Sequence, residues 1–352
     1  MDTTAHAVVG AGVFATYAAS GSSLGTGVAI ASFTAAVLGA EAPDIDIVYQ
    51  LFRGPVAYLY QHRQISHSLP MWFVYSFVIA GIVDLFASGH FWLYFWLSLA
   101  GVLTHVGTDM LTTYGTRAFW PFTNRRWHAD CLFVVEPIYI ILFVIGLVLV
   151  QLGSAFVPTV IFLDLVAIIY TLWRIVLRLW LGRILTTALA PEEREIWRVI
   201  PTIFPVPHGY KYVVKNGLDY RLGSFTWTGT PVEEARITSQ SNPAVTFALK
   251  HSRVGRAMAW FSPTLIADTR QDGAWTVVRL ADASVRYGDS LCFSGVIDLA
   301  KTKHDDFTVI HEGLRAQDLH TQKLWHDSFR AVGERIRLYI PIPRGYRSKS
   351  RD

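Results

Sequence analysis

The chain has 352 residues, of which 52% are hydrophobic and only 16% charged. Ordinary soluble domains carry about a quarter charged residues, so this composition excludes a purely water-soluble protein. The net charge of +4 comes without a Lys/Arg block or a basic helix, which leaves no nucleic-acid-binding signature.

The charge is divided unevenly. Residues from about 191 onward hold 23 of the 31 Lys and Arg and 18 of the 27 acids. This break predicts an α-helical polytopic membrane domain over 1–185 and a small, mainly β cytoplasmic domain over 186–352. Cys131 and Cys292 lie far apart, one in each part, and form no CxxC, which fits a reducing context. The N-terminus has no basic stretch before an apolar run and no cleavage site, so no removable signal peptide is expected.

Residues 5–19 and 26–40 are apolar segments rich in Ala and Gly. Each is slightly short of the roughly 20 residues of a full span, and their small side chains favour close helix packing. They predict a tight helical hairpin, either crossing or half-inserted. A polar loop is expected over 41–67, followed by spans over 69–88, 91–110, 133–152 and 156–181, six crossings in all. Trp72, Trp92, Trp96, Trp173 and Trp180 fall near span ends, as interfacial aromatics do. With six crossings, the connections 20–25, 88–90 and 152–155 share one side and carry no Lys or Arg. Arg53, Arg63, Arg117, Arg125, Arg126, Arg174, Arg178 and Arg183 all fall on the other, which is therefore cytoplasmic and holds both termini. Beyond 191, alternating patterns predict strands at Tyr210–Val214, Ser224–Thr228, Ala274–Leu280, Ser290–Ile297 and Arg335–Ile342, with a helix near 231–238. His208, His251, His304, His311, His320 and His326 are dispersed there and form no catalytic motif.

The unusual polar residues collect on the cytoplasmic side. His105 and Asp109 lie four apart, hence on one helix face, and imidazole with carboxylate suits zinc, manganese or iron. Such groups are expensive at membrane depth, which makes them functional candidates, although a helix end reaching water is the alternative. Asp44 and Asp46 in Pro43-Asp44-Ile45-Asp46 suit carboxylates that flank or bridge metal ions, with N-capping as the plainer role. His62 and His67 lie five apart, which breaks helical pairing and puts one of them on a loop or helix start. Arg63 offers a guanidinium fork for phosphate, or serves only as a membrane anchor, and His6 is a further ligand candidate. Glu136 joins this group or caps its helix. Seven His and Asp groups exceed what one four-coordinate zinc needs. They fit two ions, or one ion whose ligands are oriented by outer carboxylates. Two ions about 4 Å apart form the usual clamp for phosphoester displacement.

The combination of MDTTAH, APDID, HRQISHS and THVGTDMLTTYGT resembles the YdjM-type family of predicted membrane-bound metal-dependent hydrolases, and within it the Bacillus YfhP-like members. The motifs cover about residues 1–140. The resemblance implies His6, Asp44, Asp46, His62, His67, His105 and Asp109 as metal ligands. Asp46, His67 and Arg63 are the residues expected in catalysis, with one or two divalent ions, zinc first and manganese second, in a multi-pass protein of the bacterial inner membrane. Membrane lipids are the expected partners, with a lipid phosphoester as substrate. A distant likeness to zinc-dependent phospholipase C follows from the family, but the HxxxE pair typical of those soluble enzymes has no clear counterpart here, which argues against three metals. Two other functions use the same residues: an ion pathway or transporter, and a non-enzymatic regulator with a structural metal. Transporter sites normally lie at the bilayer midplane, whereas these residues gather at one face, and Asp84 and Asp164 form no relay with them.

Overall fold

The computed structural model describes residues 2–21, 24–193, 195–273, 275–287, 290–291, 293–301 and 306–315. The expected strand Arg335–Ile342, together with His304, His320, His326 and Cys292, lies outside the described residues.

The N-terminal part is helical. Helices α1 (Thr3–Ala19) and α2 (Thr26–Glu41) form the expected hairpin, and α4 (Leu69–Phe86) and α5 (Phe91–Leu111) form a second. Helices α6 (Pro137–Gln151) and α7 (Phe156–Ala188) follow. By length and composition, four helical stretches can cross a bilayer: residues 26–61 taken through their kink, α4, α5 and α7. Helix α6 is apolar but shorter. Their outward faces carry Phe73, Phe77, Val78, Leu147, Ile161, Phe162, Ile168 and Ile169, all exposed. Helices that are apolar all round in this way match a lipid environment.

Helices α2 and α5 pack backbone against backbone. A Cβ added to Gly39 would strike the Ser98 carbonyl, and one added to Gly101 would strike the Ala36 carbonyl and the Ala40 amide. Small residues permit this approach, which replaces hydrophobic drive with close van der Waals contact inside a membrane. The contact fixes the end of α2 beside the last turns of α5.

The segment 41–67, expected as a polar loop, is mostly helical. It contains a 3-10 turn over Ala42–Ile47, helix α3 (Val48–Gln61) and a second 3-10 turn over Ile65–His67. Apolar residues recur at helical spacing between its polar ones. Leu59 is buried with Val56 packed nearby, while Leu51 and Phe52 are exposed. Gly54, with φ 80°, kinks α3 just before Pro55.

Helix α7 has 33 residues, about 50 Å at 1.5 Å per residue and longer than the roughly 30 Å hydrocarbon layer. Its C-terminal half leaves the apolar bundle. There Leu177, Leu181 and Leu185 share a core with Val199, Tyr210, Tyr212 and Val214 of the first sheet. That sheet is antiparallel in the order β1 (Ile196–Ile200), β2 (Lys211–Asn216), β3 (Asp219–Phe225) and β4 (Pro231–Thr238). The helix expected near 231–238 is therefore a strand. Its backbone completes a ladder with β3, and its charges lie at the sheet's end, where Glu233 pairs with Arg221 at 2.8 Å.

Helices α8 (Pro243–His251) and α9 (Arg253–Phe261) come next and cover a second antiparallel sheet. Its strands are β5 (Leu265–Asp272), β6 (Trp275–Asp282), β9 (Ser294–Lys301) and β10 (Phe307–Arg315), in the order β10-β9-β6-β5. Strands β7 (Arg286–Tyr287) and β8 (Ser290–Leu291) make a short hairpin. The expected strands at Tyr210–Val214 and Ala274–Leu280 fall on β2 and β6. The one at Ser290–Ile297 divides between β8 and β9, and the one at Ser224–Thr228 begins in β3 but turns after Phe225.

The connection 112–136 is clamped by both halves. Arg198 of β1 is buried against Asp130 at 3.2 Å and also donates to the Thr113 carbonyl. Burial alone would raise the Asp130 carboxyl, but Arg198 and His128 hold it below its ordinary range. Arg174 of α7 pairs with Glu136 at 3.1 Å and donates to the Cys131 and Thr202 carbonyls. Glu136 thus serves this junction.

The α2–α5 contact yields a first expectation. Gly101→Val forces the two backbones apart and should cost about 1–3 kcal/mol as an overpacking change, read as a lower Tm in detergent. Gly107→Val, on the same helix with no atom near its Cβ position, should change Tm little. Equal effects from the two would contradict the assigned packing.

Candidate metal centre

Helix α5 carries His105 and Asp109 one turn apart, both buried. The last turn of α2 leaves carbonyls without helical partners, and one of these, Ala40 O, lies 2.5 Å from His105 Nδ1. A carbonyl can only accept, so His105 carries its proton on Nδ1 and presents a bare Nε2. The same chain end then turns through Pro43 into the 3-10 turn holding Asp44 and Asp46.

The His62–His67 turn is built around Asp46. Arg63 has a left-handed backbone, φ 61°, unusual outside glycine. The Asp46 carboxylate accepts from the Arg63 amide at 3.0 Å and from Ser66 Oγ at 2.9 Å, while the Arg63 carbonyl accepts from the Arg117 amide. Because Ser66 donates to Asp46, its oxygen accepts from His67 Nδ1 at 2.9 Å. His67 therefore turns its Nε2 toward the cluster.

These two Nε2 atoms lie 3.2 Å apart. Two such nitrogens face each other stably only across a positive charge, either a metal ion or a proton on His67. Two carboxylate oxygens complete the set. His67 Nε2 is 3.4 Å from Asp109 Oδ2 and 3.6 Å from Asp44 Oδ1, and His105 Nε2 is 3.8 Å and 3.6 Å from the same two atoms. Ligands about 2.0–2.1 Å from a tetrahedral zinc stand about 3.3–3.4 Å apart. The five separations, 3.2–3.8 Å, lie close to those of such a shell.

A second group shares one member with the first. Asp44, Asp46 and His62 also bring ligand atoms within 4.8 Å of one another; His62 Nδ1 donates to Asp46 Oδ1 at 3.0 Å, and an ion there would take the place of that proton. Asp44 and His62 keep 18% and 19% of their side chains exposed, whereas His67 and Asp109 keep none. The cluster is thus closed at its deep end and open at the Asp44–His62 edge.

Charge supports the same conclusion. Asp44, Asp46 and Asp109 converge with Arg63 as the cation among them, 3.0 Å from Asp109 Oδ1. Buried charge without compensation is strongly unfavourable, so the site calls for further positive charge. Asp44 Oδ1 and both His6 nitrogens are buried with no hydrogen-bond partner among the described residues. His6 lies flat against His105, ring centroids 3.6 Å apart, with its Nε2 3.5 Å from Asp109 Oδ1. It joins the cluster but belongs to neither donor group.

All seven expected ligands therefore converge. The fork of Arg63, expected for phosphate, is directed to Asp109 and to Thr112 Oγ1 at 2.9 Å. Sequence reasoning missed Ser66, which sits inside HRQISHS and links Asp46 to His67, and Ala40, whose contribution is a backbone carbonyl that no side-chain pattern reveals.

The buried His67 ring yields a pH expectation. Burial alone would lower its pKa, but hydrogen bonds with Asp109 and Asp44 outweigh that and raise it above the ordinary value. A group raised in the folded state stabilises most below its unfolded pKa and loses that contribution as pH rises through the folded pKa. Metal-free protein should therefore lose thermal stability as pH climbs beyond the imidazole range. Zinc binding must displace that proton, so zinc affinity should rise over the same interval. A zinc affinity independent of pH would contradict His67 as a ligand.

The family model for the YdjM inner membrane protein matches residues 1–181, the stretch that carries every residue of the cluster. The chain is also 31% identical over 253 residues to the uncharacterized protein YfhP of Bacillus subtilis (strain 168), covering 67% of this chain and 75% of that protein. No solved structure matches the chain. On both the family match and this relative, the chain belongs to the YdjM inner membrane protein family.

Proposed function

We propose that this chain is an integral membrane, metal-dependent hydrolase that cleaves a phosphoester, carried by a membrane lipid, at the cytoplasmic face. The observation that carries this reading is the pair of donor groups joined at Asp44. His67, His105, Asp44 and Asp109 hold a first ion in a shell filled by protein, while Asp44, Asp46 and His62 hold a second. That second group supplies only three protein donors and opens outward. A closed shell suits a structural ion and an open position suits catalysis. When bound, such a divalent pair supplies Lewis acidity toward phosphoryl oxygens and acidifies water.

The protein groups then have distinct tasks. Arg63 neutralises Asp109 and holds its second oxygen toward the shell. Asp46 fixes the His62–His67 turn and offers the oxygen beside His62, while Ser66 fixes the His67 tautomer. Of the three residues expected in catalysis, His67 and Asp46 act as donors and Arg63 acts through Asp109. In the six-crossing arrangement, all eight arginines of the membrane part share the side of the cluster, which supports a cytoplasmic site with both termini on that face. Zinc is favoured by the two-His, two-Asp tetrahedron, and manganese is the alternative ion. A purely structural metal is the second reading, favoured by the closed first shell. The open Asp44–His62 edge tells against it.

Activity and metal count together test the reading. Purified protein loaded with zinc or manganese should hydrolyse a phosphoester lipid panel, and His62→Ala should lower kcat by about 100-fold or more while retaining about one ion per chain. His105→Ala should lose both. Full turnover in His62→Ala, or no hydrolysis of any phosphoester by fully loaded wild type, would contradict the proposal.

A further inference from the structure

Among the described residues, four arginines are buried outright, Arg63, Arg174, Arg198 and Arg286, and each faces a carboxylate. Arg117 and Arg126, both half-buried, face none among the described residues, and the Nε of each is buried with no hydrogen-bond partner. Both are anchored to the metal-binding turn. Arg117 donates to Gln64 Oε1 at 2.8 Å, and its amide donates to the Arg63 carbonyl. Arg126 donates to the carbonyl of His62, the residue at the open edge of the cluster, at 3.1 Å. Both guanidinium groups also lie on one indole, that of Trp260 in α9, at 5.5 and 4.2 Å from its centroid. Tyr60 of α3 stacks on the same indole, ring centroids 5.3 Å apart.

Two guanidinium groups sharing one ring repel each other. An aromatic face relieves such charge only in part, by about 0.5–2 kcal/mol. A dianionic phosphate relieves it fully, because the guanidinium fork matches phosphate oxygens in both charge and spacing.

We infer that Arg117 and Arg126, laid across Trp260, form a phosphate subsite beside the open Asp44–His62 edge, where the substrate's phosphate-bearing group is held. The subsite deepens the hydrolase reading by naming what the substrate presents, and it gives the C-terminal domain a task, since Trp260 comes from that domain. Among the described residues, the Arg117 guanidinium donates to Gln64 Oε1 and that of Arg126 to the His62 carbonyl, so both forks keep further N–H groups for a ligand.

The test uses the full-length protein in detergent, chelator-treated so that no metal contributes to anion binding, and titrated with inorganic phosphate by calorimetry. Wild type should bind phosphate, and Arg117→Gln and Arg126→Gln should each weaken binding about tenfold or more with metal uptake unchanged on reloading. Arg126→Lys, which keeps the charge on Trp260 but not the fork, should lose affinity several-fold and serves where the Gln variant does not fold. Absence of phosphate binding in wild type, or equal affinity in the variants despite a lower Tm, would overturn the subsite and leave the two arginines as struts. A short-chain phosphatidic acid run in parallel separates the sources: tighter binding than inorganic phosphate identifies a lipid headgroup, and equal binding identifies a soluble phosphate compound. Should the protein take up no metal while arginine-dependent phosphate binding persists, the hydrolase reading fails and the subsite stands.

Discussion

Three carboxylates, Asp44, Asp46 and Asp109, converge on a poorly hydrated point where Arg63 is the cation held among them. The low dielectric there makes excess negative charge costly, and much of the surrounding structure is arranged to tolerate it. Two imidazoles turn their Nε2 atoms to within 3.2 Å of each other because their Nδ1 positions are committed to Ala40 O and to Ser66 Oγ. The Ala40 carbonyl reaches His105 only because Gly39 and Gly101 let α2 and α5 touch backbone to backbone. Helix packing thereby fixes a tautomer, and the tautomer defines a donor set.

The C-terminal domain is tied into the same arrangement. Helix α7 runs from the apolar bundle into the core of the first sheet, so the two halves share a continuous element. The connection between α5 and α6 is clamped by Arg174 from α7 and Arg198 from β1. From the second sheet's side, α9 reaches α3 through Trp260 and Tyr60, next to the turn that carries His62. A β domain with no catalytic motif of its own can therefore still shape what approaches the cluster.

Much of the candidate site was legible in the sequence because its residues come from short motifs with recognisable chemistry. The i, i+4 spacing placed His105 and Asp109 on one helix face, and the one-sided charge distribution pointed His6, Asp44, Asp46, His62 and His67 toward the same end of the bundle. What could not be read were features that depend on backbone. The left-handed Arg63, the Ala40 carbonyl and the commitment of Arg63 to Asp109 leave no pattern of residue types. The polar motifs APDID and HRQISHS at either end of 41–67 concealed the apolar spacing of α3 between them, so a helix looked like a loop. In the β part, Val232 to Ile237 carries enough charge to look like a helix surface, and only pairing with β3 makes it a strand.

The central claim is that His67, His105, Asp44 and Asp109 surround one divalent ion. X-ray absorption at the zinc edge of the reconstituted, detergent-purified protein addresses it most directly, read together with elemental analysis. The account predicts stoichiometric zinc with a four-coordinate shell of mixed nitrogen and oxygen at about 2.0 Å, and loss of the imidazole scattering in His105→Ala. No stoichiometric metal after reconstitution, or a six-coordinate shell of oxygen alone, would contradict it.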